Sequence, residues 1–209
     1  MTEPTPDFFY FDLGNVLLTI DQRLACRQVA ELSGLSADRI GEIVFGSDLQ
    51  LRYERGALSS REFYEEFCAA SHTRPDYDAL HRAHSAMFEL NTPVIPIVAH
   101  VHAAGYRLGI LSNTCETHWD FVSNGRFTAI RDFFTVHVLS HVERCSKPDV
   151  AIYRRAAELA GTDPGRIFFV DDRPENVDGA LRAGLDAVLF SGPLPLAEAL
   201  RRRGVTFNY

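Results

Sequence analysis

Positive charge, paired cysteines and long apolar runs are all scarce in this chain of 209 residues. Lys and Arg number 21 against 28 Asp and Glu, a formal net charge of −7. That balance argues against a nucleic-acid backbone as main partner, which needs a dense basic surface to displace counterions. The one compact basic run, Arg201-Arg202-Arg203, reads as the solvated last turn of a helix, where the dipole favours cations. Cys26, Cys68, Cys115 and Cys145 are scattered with no C-x-x-C pair, so neither a disulfide framework nor a zinc ribbon is indicated and a reducing cytoplasm fits. Met1 to Asp7 is polar with two prolines, and no apolar run approaches membrane-spanning length, so neither secretion nor membrane insertion is expected.

What is present is the pattern of an ordinary globular chain, 46% hydrophobic and 23% charged, long enough for one domain and part of another. Phe8-Phe9-Tyr10-Phe11 is a short continuous apolar run that reads as a buried strand. Similar runs recur at Tyr106 to Leu111, Phe133 to Leu139, Ile167 to Val170 and Ala187 to Phe190. Helical stretches alternate with them: Thr92-Pro93 opens Val94 to Ala104, Pro148 opens Asp149 to Ala160, and Pro174 opens a helix to Ala183. This rhythm predicts an α/β fold, a Rossmann-like parallel sheet flanked by helices. Between the first strand and Thr92 the rhythm changes. Arg23 to Leu32, Ala37 to Phe45, Ser59 to Ala70 and Tyr77 to Phe88 all read as helices, with a capping box at Ser59 and Glu62 and no strand among them. Residues 20–91 are therefore expected to form an inserted helical cap, with 1–19 and 92–209 forming the core.

Ligands bind an open parallel sheet beyond the carboxyl ends of its strands. The residues leaving those ends are Asp12, then Ser112 and Asn113, then Lys147, then Asp171 and Asp172. Singly, each has a plainer reading: Asp12 before Gly14 as a turn residue, Ser112 and Asn113 as helix caps, Lys147 as a solvated side chain, and the acidic pair before Pro174 as cap chemistry. Their conjunction at successive strand ends favours a site. Clustered carboxylates repel one another unless a cation sits among them. Oxygen ligands without His or Cys suit a hard cation, Mg²⁺ first, which commonly works beside a substrate phosphate. Lys147 and Ser112 would then meet phosphate oxygens, helped by backbone N–H groups of the Gly14-Asn15 turn.

Four segments together resemble the haloacid dehalogenase superfamily, in the branch whose helical cap is inserted after the first strand. They are Phe11-Asp12-Leu13-Gly14-Asn15-Val16, Leu111-Ser112-Asn113-Thr114, Ser146-Lys147-Pro148-Asp149 and Phe169-Val170-Asp171-Asp172-Arg173-Pro174-Glu175-Asn176. The first, with Glu54-Arg55-Gly56-Ala57-Leu58-Ser59, is also similar to bacterial sugar-phosphate phosphatases. The resemblance implies a Mg²⁺-dependent phosphatase acting on a small phosphate ester, such as a sugar 1-phosphate. Asp12 would be the nucleophile that becomes an aspartyl-phosphate, and Asp12, the Gly14 carbonyl, Asp171 and Asp172 would bind the metal. Ser112, Lys147 and, less directly, Asn113 would hold the phosphoryl group, with Arg55 a cap residue near the substrate. The resemblance leaves two rivals open, a 2-haloacid dehalogenase and a non-catalytic protein on the same fold. Elsewhere, Cys115 with His118 and His81 with His84 have no third partner at catalytic or ligand spacing, and His100 and His102, two apart on a helix, face different ways; all are read as packing or surface residues.

One departure stands out. Phosphatases of the family mostly carry a second Asp two residues after the nucleophile, as acid and base, and here that residue is Gly14. Losing a general acid–base costs about 10²–10⁴ in rate. Slow turnover, or leaving groups that need little protonation, is expected; steady-state assays should show sugar 1-phosphates and aryl phosphates cleaved faster than simple alkyl phosphates.

Overall fold

The computed structural model describes residues 5–206. In chain order the elements begin with β1 (Phe8–Phe11) and β2 (Leu18–Ile20), followed by five helices: α1 (Gln22–Ser33), α2 (Ala37–Val44), α3 (Leu49–Glu54), α4 (Ser60–Ser71) and α5 (Tyr77–Ser85). Then come β3 (Phe88–Leu90), α6 (Ile95–Ala103), β4 (Arg107–Ser112), α7 (Glu116–Ser123), α8 (Thr128–Phe133), β5 (Val136–Leu139) and α9 (Ser140–Glu143). The chain ends with α10 (Val150–Ala160), β6 (Ile167–Asp171), α11 (Pro174–Arg182), β7 (Asp186–Leu189) and α12 (Pro193–Arg202).

Five strands form one parallel sheet in the order β5-β4-β1-β6-β7. β1 lies at its centre, with Phe11 level with Ile110 on one side and Val170 on the other. The chain fills one half of the sheet before returning to fill the other, so the order reverses at β1 and β6, where open α/β sheets leave a crevice. The continuous aromatic run of β1 is explained by burial on both faces. Phe9 and Phe11 join Ile110, Phe168 and Val170 in one layer, while Phe8 and Tyr10 join Leu111, Ile152 and Phe169 in the other. Burial of such side chains contributes about 1.5–3 kcal/mol each.

The helical stretch α1–α5 has an apolar cluster of its own, including Val29, Ile40, Tyr53, Phe63 and Phe67. Its two connections to the sheet are zipped together, because β2 pairs antiparallel with β3, Leu18 opposite Leu90 and Ile20 opposite Phe88. Asn91 closes the zipper, its Nδ2 donating to the Val16 carbonyl at 2.8 Å.

Several sequence expectations need correction. A strand does occur within the stretch read as wholly helical: the last helix stops at Ser85 and Phe88–Leu90 is β3. α3 was not anticipated, since it is six residues long and its N-cap Asp48 makes no side-chain capping bond. The predicted strand from Phe133 begins only at Val136, with Thr128–Phe133 helical. The helix expected from Thr92-Pro93 starts at Ile95, with Pro96 in its first turn. The capping box at Ser59 and Glu62 is formed as expected. In the basic run, Arg201 and Arg202 are exposed, but Arg203 is buried. It pairs with Asp186 and lies over the Phe168 ring, a tertiary partnership that no local pattern signals. No helix among the described residues is long and apolar enough to cross a membrane.

Candidate active site

The crevice is built from strand ends. Asp12 is the residue after β1, and its N–H donates to the Val170 carbonyl at 2.9 Å, continuing the ladder with β6. Asp171 ends β6, one residue beyond the pairing of Phe11 with Val170, so it stands level with Asp12. Lys147, from the loop before α10, reaches between them. Its Nζ lies 2.7 Å from Asp12 Oδ1 and 2.6 Å from Asp171 Oδ2, and it donates to the Leu111 carbonyl at 2.9 Å. All three ammonium hydrogens are thus engaged. The Lys147 side chain is 1% exposed and that of Asp171 is 0%, so this is a dry ion-pair cluster.

Asn113 anchors the lysine. Its Oδ1 accepts from the Lys147 N–H at 2.9 Å and its Nδ2 donates to the Lys147 carbonyl at 2.9 Å. Both ends of the Asn113 amide thus hold the Lys147 backbone, while Nδ2 keeps a second N–H and Asn113 lines the cleft. The Lys147–Pro148 peptide is cis. Ser112, at the end of β4, is buried, and its hydroxyl makes only a long 3.4 Å contact with the Asn113 carbonyl.

Both oxygens of Asp171 are engaged as well. Besides Lys147 on Oδ2, its Oδ1 accepts from the Arg173 N–H at 2.9 Å and from Asn176 Nδ2 at 2.9 Å. Asp172 is half-buried and accepts on Oδ2 from Asn15 Nδ2 at 2.9 Å. Asn15 adopts a φ of 54°, a conformation that Asn tolerates better than most residues. Carboxylate oxygens of Asp12, Asp171 and Asp172 lie within 4.8 Å of one another.

Electrostatics follow from this crowding. Burial, with the Asp171 charge beside it, pushes the Asp12 carboxyl up to about 7, even though Lys147 and the Leu13 N–H favour its ionised form. Burial alone would lower the Lys147 pKa, but Asp12 and Asp171 outweigh it and hold the ammonium above its ordinary range. A hard cation beside Asp12 would relieve the same repulsion, and an all-oxygen donor set fits Mg²⁺.

The Gly14 position is filled from elsewhere. A Cβ on Gly14 would stand 2.8 Å from Ile20 Cδ1, so an apolar methyl group occupies the space beside the missing side chain. Near Arg55, Tyr53 turns inward, its hydroxyl 2.7 Å from Ser60 and 3.2 Å from Thr117. Glu54 and Arg55 do line the crevice, a cleft of about 390 Å³ shared with Asp12, Ser112, Lys147 and Asp172. Arg55 is the residue of this segment that the sequence favours for the rim, and Glu54 stands beside it there. The φ of 67° at the following Gly56 and its Cβ position, 2.3 Å from the His141 carbonyl, show a turn pressed against the core.

The other tempting pairs are structural. Cys115 is fully buried and its thiol is pushed up to about 12 by that burial, so it is no nucleophile. His81, His84 and His118 are buried among aromatic rings, His84 stacked on Phe63 at 5.1 Å. His84 has its pKa driven well down by burial and by the neighbouring histidines, so it is neutral. His102 lies against Phe133, and His100 contacts the Thr206 carbonyl.

Comparison with known proteins converges on one family. Residues 7–184 match the family described as haloacid dehalogenase-like hydrolase. Pyrimidine 5'-nucleotidase YjjG of Escherichia coli is 25% identical over 86% of this chain and 83% of its own. Enolase-phosphatase E1 of Nocardia farcinica is 29% identical over 46% of this chain, a match spanning 41% of that protein's length. Among solved structures, a HAD-like hydrolase of Porphyromonas gingivalis superposes with a TM-score of 0.80 at 24% identity, covering 95% of this chain and 98% of that one. A HAD family enzyme of Bacteroides thetaiotaomicron, in complex with magnesium and inorganic phosphate, gives 0.78 at 23% identity, covering 88% and 93%.

Removing one member of the buried cluster should be costly. Lys147→Met leaves Asp12 and Asp171 unpaired and is expected to lose about 3–5 kcal/mol of stability in urea unfolding. Asp12→Asn keeps Lys147 paired with Asp171 and should be nearly neutral in the same assay.

Proposed function

Because the chain belongs to the haloacid dehalogenase-like hydrolases, we propose that it is a Mg²⁺-dependent phosphatase of a small phosphorylated metabolite. The observation that carries this reading is the carboxylate cluster at the end of β1 and β6, with Lys147 2.7 Å from Asp12. A sugar phosphate such as a sugar 1-phosphate is the substrate class, on the likeness of the first motif and of Glu54 to Ser59 to α-D-glucose-1-phosphate phosphatase. Residues 20–91 act as the cap of the C1 type, choosing the leaving group and excluding water.

Asp12 Oδ attacks phosphorus in line, the bond to the ester oxygen breaks, and water then hydrolyses the aspartyl-phosphate. Lys147 favours the ionised form of Asp12 and aims it, and its charge faces the transferring group. The Ser112 hydroxyl, which has only a weak intramolecular contact, is available to a phosphoryl oxygen. Asp12, the Gly14 carbonyl and Asp172 would hold Mg²⁺. Asp171, with both oxygens already accepting hydrogen bonds, serves that group through Lys147 or through a water. When bound, the ion supplies charge neutralisation at the phosphoryl oxygens. Arg55, exposed on the cleft wall, is placed to meet the rest of the substrate.

The dehalogenase alternative fares worse against the same geometry. Three clustered carboxylates would oppose an anionic haloacid if no cation were present.

A panel of sugar 1- and 6-phosphates and p-nitrophenyl phosphate, assayed with and without Mg²⁺, tests the reading, with Asp12→Asn as the inactive control. Absence of Mg²⁺-dependent phosphate release across the panel would overturn it. A second outcome follows from the raised Asp12 pKa. A protonated Asp12 cannot serve as ligand, so Mg²⁺ affinity measured by calorimetry should fall about tenfold per pH unit below about 7 and level off above it.

A further inference from the structure

The proposed reaction needs a proton at the leaving oxygen, and the β1 loop has no group to supply it. Gly14 has no side chain, and Ile20 Cδ1 stands 2.8 Å from where its Cβ would be. Among the described residues, no His, Cys or Tyr lines the cleft, and its carboxylates are Asp12, Asp172 and Glu54. Asp12 is committed as nucleophile, and Asp172 belongs to the cation cluster. The Lys147 ammonium is held by three acceptors, while Arg55 and Arg173 do not release protons. Glu54 remains.

Its position is fixed by the core and not by the helical stretch alone. The buried Ser140 hydroxyl donates to the Glu54 carbonyl at 2.5 Å and accepts from the Thr114 N–H at 2.9 Å. Two residues later, Gly56 packs so closely on the His141 carbonyl that no side chain would fit. On the carboxyl itself, Gln50 Nε2 donates to Oε1 at 2.8 Å, orienting the group along α3. Burial raises the Glu54 pKa, and the Gln50 amide and the Arg173 charge offset that only in part. A carboxyl so placed holds its proton closer to neutral pH than an ordinary Glu.

We propose that Glu54, projecting from the helical stretch into the cleft, is the general acid for the leaving oxygen, doing from the cap side what the residue at Gly14 cannot. This deepens the phosphatase reading and rests on it. As Asp12 Oδ bonds to phosphorus, the ester P–O bond breaks and the leaving oxygen takes the Glu54 proton, departing as the alcohol. In the second half, water attacks the aspartyl-phosphate and passes a proton to the Glu54 carboxylate. Phosphate leaves, Asp12 returns as carboxylate and Glu54 as acid, so one water is consumed per ester.

The test is Glu54→Gln in the full chain with Mg²⁺, comparing kcat/KM for glucose 1-phosphate, glycerol phosphate and p-nitrophenyl phosphate. This parameter reports steps through departure of the leaving group. The loss should grade with leaving-group basicity: about 10²-fold or more for glycerol phosphate, an intermediate loss for the anomeric leaving group of glucose 1-phosphate, and less than about threefold for p-nitrophenyl phosphate, whose leaving group needs least protonation. The unaltered protein should show an alkaline limb in its kcat/KM profile with glycerol phosphate, and that limb should vanish in the variant. Comparing substrates on one preparation cancels any loss of folded protein. Equal losses on all three substrates, or none on any, would overturn the role of Glu54 while leaving the phosphatase reading intact. Failure of the unaltered protein to hydrolyse any of the three with Mg²⁺ would overturn both.

Discussion

The Lys147 ammonium, shared between Asp12 and Asp171, is the interaction on which the rest of the site depends. It joins the two strands at the sheet's reversal point, β1 and β6, to the loop before α10, with the ammonium itself almost wholly shielded from water. Carboxylates this close would otherwise neutralise one another by taking up protons. The surrounding bonds serve the same lysine: Asn113 grips its backbone from both sides, and Asn176 and the Arg173 N–H occupy the remaining oxygen of Asp171. What the cluster leaves for an incoming ligand is the open face made by Asp12, Asp172 and the Ser112 hydroxyl.

The helical stretch is held over that face by contacts unrelated to its own apolar core. The β2–β3 zipper fixes its root, and the close approach of Gly56 to His141, with Ser140 bonded to the Glu54 carbonyl, fixes its far side. Two features of the cleft then become one arrangement. Ile20, at the root, fills the space beside Gly14, while Glu54, at the far contact, brings a carboxyl to the cleft wall. In the proposed phosphatase, substrate choice and proton supply would thus reside in the same segment.

Much of this was legible beforehand, for identifiable reasons. Strands buried on both faces leave unbroken apolar runs, so all five strands of the sheet could be placed. The motif residues sit at strand ends, where order in the chain becomes proximity in space. Illegible features were those settled at a distance. α3 is only six residues long, β3 is three residues long and is stabilised by pairing with β2, and Arg203 is buried because Asp186 and Phe168 receive it. That Asn113 holds the Lys147 backbone was likewise settled by the fold, which brings that backbone within reach of both ends of its amide.

From the residues alone came the parallel α/β architecture, the helical insertion after the first strand and the short set of acidic, hydroxyl, amide and lysine groups at the sheet's rim. These follow from local chemistry: apolar period, helix-opening prolines and the rule that strand ends face the crevice. Tertiary structure alone decided which carboxylate has both oxygens engaged, which neighbour raises the Asp12 pKa, what fills the gap beside Gly14 and which carboxyl of the helical stretch lines the same cleft. Those are properties of pairs far apart in the chain, such as Lys147 with Asp12 and Glu54 with Ser140, and their energies depend on burial and distance, which only the folded chain sets.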